Sequence, residues 1–145
     1  MKKTNIEIIQ DPVKESRRYV ANAKQTLNDH GQLDTKSKVY EDRKYVRSAG
    51  HFLFLAVLIA LDAVFHVGDP KTYGTKKSRV GIDDYRKAVA QRDRKLLLLL
   101  NQAYDILHLS MGYDGVQSKD VCDAGFRLAN DIIDRCSLMI PSHVA

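Results

Sequence analysis

Residues 40–67 read YEDRKYVRSAGHFLFLAVLIALDAVFHV, and this stretch decides the fold. Its first part alternates charged and aromatic residues, whereas the part from Ala49 onward is interrupted only by His51, Asp62 and His66. A helix with so little polar surface has to be surrounded by other elements. At about 1.5 Å per residue it would be roughly 40 Å long. The stretch therefore predicts the central helix of a small helical domain.

The apolar run 52–61 is short for a membrane span. It has ten residues without a polar break, whereas a transmembrane helix needs about 20. Asp62 follows directly and would lie inside the bilayer if the span were extended. We therefore expect a buried core helix and no membrane partner.

The first half of the chain contains clear helix boundaries. Asp11 can cap free backbone amides and Pro12 suits the first helical position, so the first helix is expected to begin there. Gly31 predicts its end. After a polar linker, Ser37 is the predicted cap of the second helix, which is expected to end before Gly68.

The second half predicts further helices. A third helix is expected to start near Ile82, and RDRKLLLLL leads into a fourth that buries residues 96–100. Since no glycine or proline separates the two, we favour a bend or a single long helix. A turn at residues 112–115 and a cap at Ser118 predict the last helix.

No segment alternates with period two for long enough to predict a strand. The predicted fold class is therefore all-α, an up-and-down antiparallel bundle of four to five helices. We expect one domain over residues 11–140, preceded by an N-terminal arm at residues 1–10.

The chain has 145 residues and a formal net charge of +5, and its basic excess is concentrated in residues 71–95. This segment could contact nucleic acid or a nucleotide, although a solvated loop also explains it. The interleaved Tyr73 and Tyr85 would suit base stacking. The candidate nucleic-acid contacts are Lys71, Lys76, Lys77 and Arg79.

The two cysteines, Cys122 and Cys136, are expected on one helix, roughly 21 Å apart, which is too far for a disulfide. They predict small core residues of a reduced, cytoplasmic protein.

Three segments carry a resemblance to a known family. They are DRKYVRSAGH at residues 42–51, ALDA at residues 60–63 and AYDILHLSMGYDG at residues 103–115. With these, the chain resembles a bacterial domain-of-unknown-function family of small helical-bundle proteins. The resemblance implies the fold and no particular activity.

More distantly, the layout is similar to HEPN-type helical bundles. That resemblance implies binding of RNA or nucleotides, pairing with a nucleotidyltransferase or toxin partner, or ribonuclease activity through an arginine and a histidine that have four to six residues between them. The nearest match is Arg47 and His51, with three residues between them.

The candidate ligand or partner site draws on two stretches. Arg47 and His51 are four residues apart, so they share one side of the helix and could hold an anion or transfer a proton, or could simply be structural. Asp62 and His66 have the same spacing but no second pair of metal ligands. We predict no catalytic residues, metal or cofactor. The candidate site residues are Arg43, Arg47, His51, Tyr104, His108, Tyr113 and Asp114.

The sequence thus favours a non-enzymatic interaction module that forms a homo-oligomer, with a dimer favoured. The alternative is a HEPN-like protein that binds or acts on RNA or nucleotides through residues 71–95.

Overall fold

A computed structural model describes residues 11–68 and 80–140 of the chain. Helices dominate this part, and the all-α prediction is confirmed. The α-helices are α1 (Pro12–His30), α2 (Arg43–Phe65), α3 (Ile82–Ala90), α4 (Arg94–Ala103) and α5 (Lys119–Met139), and a π-helix (Tyr104–Tyr113) continues directly from α4.

The predicted boundaries of α1 are correct. The Asp11 side chain accepts a hydrogen bond from the backbone N–H of Lys14, Pro12 occupies the first turn, and Gly31 follows the last residue. One buried side-chain oxygen of this helix has no hydrogen-bond partner among the described residues. The hydroxyl of Ser16 is fully buried and forms no hydrogen bond to any described residue.

The linker between α1 and α2 contains a hairpin, so the expectation of no strands and of a cap at Ser37 was wrong. Strand β1 (Leu33–Asp34) pairs antiparallel with β2 (Val39–Tyr40). The N–H of Tyr40 donates to the carbonyl of Gln117, which holds β2 extended. Helix α2 therefore starts only at Arg43, with Asp42 as its cap.

Helix α2 is the central helix, as predicted. It is the one described helix that is long and apolar enough to cross a membrane, and 56% of that stretch is buried inside the fold. Helices α1, α5 and the π-helix surround it, which is the packing of a core helix. The edge-to-face contact of Tyr19 with Phe52 and the stacking of His30 on Tyr45 show that α1 and α2 run antiparallel.

The favoured single or bent helix through Asp93 was wrong, because α3 and α4 are separate. Residue 93 is extended, with φ −153° and ψ 100°, and its carboxylate accepts the N–H of Leu96. The same carboxylate receives two hydrogen bonds from Arg135, at 2.7 and 3.0 Å. An aspartate cap anchored by α5 thus breaks the helix without glycine or proline.

The leucine run is buried on one side only. Leu96, Leu99 and Leu100 belong to the core, whereas Leu98 is 51% exposed, contrary to the expectation that all five leucines lie inside. This follows from helical periodicity, since five consecutive residues cover more than a full turn. The last helix, α5, begins after Ser118 as predicted, and its core residues include Cys122 and Cys136.

Candidate functional site

The candidate site is a cleft between α2 and the π-helix. Its volume is about 220 Å³, and it opens to solvent. Three exposed side chains line it, the imidazoles of His51 and His108 and the ring of Tyr113. Its other lining residues are Phe54, Leu107 and Gly112.

The two helices approach closely because Gly50 has no side chain. A Cβ atom at residue 50 would lie 2.6 Å from the Cβ of Met111 and 2.9 Å from the carbonyl oxygen of Leu107. A Cβ atom at Gly125 of α5 would lie 2.7 Å from the sulfur of the same Met111. Glycines of α2 and α5 thus let both helices pack closely against the π-helix at Met111, which fixes the wall of the cleft.

A row of stacked side chains leads from α3 to the cleft. The guanidinium of Arg86 lies 5.1 Å from the centre of the Tyr104 ring, and its Nε donates to Asn101 at 2.7 Å. The rings of Tyr104 and His108 are 5.0 Å apart, as are those of His108 and Phe54. Tyr104 thus packs against His108 and helps to position its imidazole, although Tyr104 does not line the cleft itself.

The two arginines of the candidate site lie one and two helical turns before His51. Gly115, with φ +65°, turns the chain over their aliphatic stems, and a Cβ atom there would lie 3.1 Å from the Cγ of Arg47. Arg43 donates a hydrogen bond to the side chain of Gln117 at 3.3 Å. Within residues 11–68 and 80–140, the side chains of Arg47 and of the exposed Asp114 form no hydrogen bond or ion pair.

The structure therefore brings both predicted stretches to one surface. Arg43, Arg47 and His51 come from α2, and Tyr104, His108, Tyr113 and Asp114 come from the π-helix and the residue after it. The candidate nucleic-acid contacts Lys71, Lys76, Lys77 and Arg79 lie outside the described residues. In the described part of the basic segment, four cationic side chains are exposed, those of Lys87, Arg92, Arg94 and Lys95.

Asp62 and His66 have structural roles at the end of α2 and are not arranged as a pair of metal ligands. The buried carboxylate of Asp62 accepts the N–H of Gly68 at 2.7 Å and the hydroxyl of Tyr85 at 3.0 Å. His66 follows the end of α2 in the left-handed conformation, with φ 55°. In the described part of the chain, no three His, Cys, Asp or Glu side chains are grouped so that they could hold a metal ion.

Comparison with known proteins places this architecture in a family. The model of a domain of unknown function, DUF5618, matches residues 11–137. The chain belongs to the DUF5618 family. A solved structure, a protein of unknown function from Dyadobacter fermentans, is 36% identical, with a TM-score of 0.77, and the match covers 93% of this chain and 100% of that one. No curated protein matches.

The resemblance to a domain-of-unknown-function family of small helical proteins is thereby confirmed. In this DUF5618 domain, the cleft offers aromatic walls, two imidazoles that can donate or accept hydrogen bonds, and one unpaired cation nearby. An imidazole that acts as a general base is usually oriented by a third group. No described residue forms a hydrogen bond with the imidazole of His51.

Sequence reasoning missed several contributors to the cleft. Phe54 lies three residues after His51 and so shares its side of α2, which helical spacing could have indicated. Leu107 and Gly112 could not be recognised in this way, because their role depends on which side of the π-helix faces α2. The aromatic contact of Arg86 likewise depends on how α3 folds back.

Proposed function

We propose that the protein is a non-enzymatic helical-bundle interaction module that binds a partner through the cleft and associates with a second copy of itself. The cleft carries this proposal. Its volume of about 220 Å³ lies below the roughly 300–1,000 Å³ of pockets that enclose small molecules. A single side chain of another protein is a better match for a site of this size.

The surface beside the cleft supports a protein partner. Tyr113 is 75% exposed and Leu109 is 37% exposed, so the π-helix presents an aromatic and an aliphatic side chain to solvent. Interfaces combine such apolar anchors with a polar rim, and tyrosine is enriched among their most important residues. The two imidazoles and Arg47 would supply that rim.

We place the module in the cytoplasm. Cys122 and Cys136 are free and buried, and burial raises the pKa of each thiol to about 12. Free thiols of this kind are compatible with a reducing compartment, where disulfides are rare.

Sedimentation velocity tests self-association. We expect the sedimentation coefficient to rise with concentration between about 1 µM and about 1 mM, which corresponds to binding free energies of roughly −8 to −4 kcal/mol. Leu109→Lys should weaken the association. Leu138→Lys is the matched control, because Leu138 is 86% exposed near the end of α5, away from the cleft. A strict monomer over the whole range would contradict the proposal.

A second candidate function is binding of RNA or nucleotides by a HEPN-like bundle, with or without a nucleotidyltransferase or toxin partner. The observation that favours it is the row of rings Tyr104, His108 and Phe54, with the guanidinium of Arg86 over the first of these rings. Bases stack on such rings while cations contact phosphates. The basic segment at residues 71–95 would supply further cations for contacts to phosphates.

Fluorescence anisotropy with a single-stranded RNA at low salt tests this candidate. Neutralising Lys76, Lys77 and Arg79 together should reduce the slope of log affinity against log salt by about 2, since each phosphate contact contributes roughly 0.7. The matched control neutralises Lys14, Lys24 and Lys36, three exposed lysines of α1 and the hairpin. Absence of binding at low salt would remove the candidate.

A further inference from the structure

Two unpaired charges of opposite sign flank the cleft. Arg43 is hydrogen-bonded to Gln117, and the ammonium of Lys44 lies 5.4 Å from the centre of the Tyr45 ring. Arg47, one helical turn before His51, has no side-chain partner in the described part of the chain. Asp114, the carboxylate next to Tyr113, has none either and is exposed.

We propose that the cleft is occupied by Tyr113 of a second copy, in a two-fold symmetric dimer in which Arg47 of each copy pairs with Asp114 of the other. This inference rests on the proposed function above and specifies its interface. It assigns roles to three candidate residues: Tyr113 is the inserted side chain, and Arg47 and Asp114 orient it.

A two-fold symmetric contact requires one surface to carry both of the groups that meet in it. In such an interface the same patch occurs on both subunits, so each contact between two different residues occurs twice. Here Tyr113, whose side chain is 75% exposed, is itself one of the residues that line the aromatic hollow, so the ring and the hollow share one face. Two copies related by a two-fold axis can therefore exchange rings.

Charge complementarity supports the same occupant. Asp114 is adjacent in sequence to the inserted ring, and Arg47 lies one helical turn before His51, which lines the hollow. When Tyr113 enters the hollow of the partner, its neighbouring carboxylate arrives beside the partner's cation. Arginine binds carboxylates in a planar, two-point geometry, which would fix the orientation of the ring.

Mixing charge-reversed variants tests this arrangement. In Arg47→Glu both contacts of the dimer become Glu with Asp, and in Asp114→Lys both become Arg with Lys, so each variant alone should self-associate at least about tenfold more weakly. A mixture of the two should form a heterodimer with near wild-type affinity. One of its contacts is then the native Arg–Asp pair and the other is a Glu–Lys pair.

Matched controls separate this effect from general charge. Asp105→Lys makes the same change on another exposed residue of the π-helix, and Arg127→Glu makes it on an exposed residue of α5. Each control should self-associate with wild-type affinity, and mixing the two should leave that affinity unchanged. Tyr113→Ala should also abolish association, whereas the circular dichroism spectrum should be unchanged because 75% of that side chain is exposed.

The possible failures are distinct. A wild-type chain that remains monomeric would overturn the proposed self-association itself. A wild-type dimer that persists in both charge-reversed variants and in Tyr113→Ala would overturn only this interface. Loss of association in each single variant without rescue on mixing would also overturn the Arg47–Asp114 pairing.

Discussion

Gly50 of α2 lies against Met111 of the π-helix so closely that a Cβ atom at residue 50 would come within 2.6 Å of the Met111 Cβ. The same atom would lie 2.7 Å from the backbone nitrogen of Gly112. Backbone and Cβ atoms cannot move aside as the end of a long side chain can. The contact therefore sets the separation of the two helices that form the cleft.

Gly50→Ala should destabilise the fold although alanine is the better helix former. Helix propensity favours alanine by about 1 kcal/mol, but the overlap forces a backbone shift that costs roughly 1–3 kcal/mol. We expect a net loss of stability in urea unfolding. Gly81→Ala is the control, because nothing lies within 4 Å of the Cβ position there. Equal stabilities of the two variants would contradict the close packing.

This contact also shows where sequence reasoning stops. The apolar run of α2 and the caps at Asp11 and Ser118 are local patterns, and they predicted the corresponding elements correctly. A glycine within a helix carries no local sign of what packs against it. The π-helical conformation of residues 104–113 was therefore not predictable, since it is associated with close tertiary contacts at Gly50 and Gly125.

The start of α2 was mispredicted for a similar reason. Ser37 and Asp42 are both good helix caps, and sequence alone does not choose between them. The choice is made by distant residues, since the carbonyl of Lys38 accepts the N–H of Lys119 and the N–H of Tyr40 donates to Gln117. Likewise, both halves of the candidate site were predicted, but their meeting at one cleft depends on the antiparallel packing of α2 against the π-helix.

Ser16→Ala should stabilise the protein. A buried hydroxyl without a hydrogen bond costs about 1–3 kcal/mol of desolvation, and the Ser16 hydroxyl has no partner among the described residues. Ser48→Ala is the control, since its hydroxyl donates to the carbonyl of Lys44 at 3.2 Å. Both changes gain the same helix propensity, so thermal unfolding should show a larger gain for Ser16→Ala. A smaller gain would indicate that the hydroxyl is satisfied.

The Asp93–Arg135 pair should make stability depend on pH. Hydrogen bonding from Arg135 lowers the pKa of the Asp93 carboxyl. A lowered folded-state pKa contributes stability above the unfolded value of about 3.9, and that contribution is lost as pH falls through the folded value. Asp93→Asn keeps a good cap and should cost about 1 kcal/mol at pH 7. The difference from wild type should shrink as pH falls below about 3.9 and vanish below the folded-state pKa of Asp93.

Asp93→Ala serves as the companion variant, because it removes the cap as well as the charge. Loss of an N-cap costs about 1 kcal/mol more, and this part should persist at low pH. Urea unfolding at pH 7 and pH 3 distinguishes the two contributions. If the cost of Asp93→Asn were the same at both pH values, the ion pair would not contribute to stability.

Tyr85→Phe should weaken the attachment of α3 to the end of α2. The Tyr85 hydroxyl donates to the buried carboxylate of Asp62 at 3.0 Å, and Asp62 is only 4% exposed. A hydrogen bond to a charged group contributes about 1.5–3 kcal/mol, which corresponds to a fall in Tm of roughly 5–10 °C for a chain of this size. Tyr45→Phe is the control, since its ring stacks on His30 and no described residue forms a hydrogen bond with its hydroxyl. The ring and its packing are retained in both variants, so a difference in Tm between them measures the bond to Asp62, and equal Tm values would show that the bond contributes nothing.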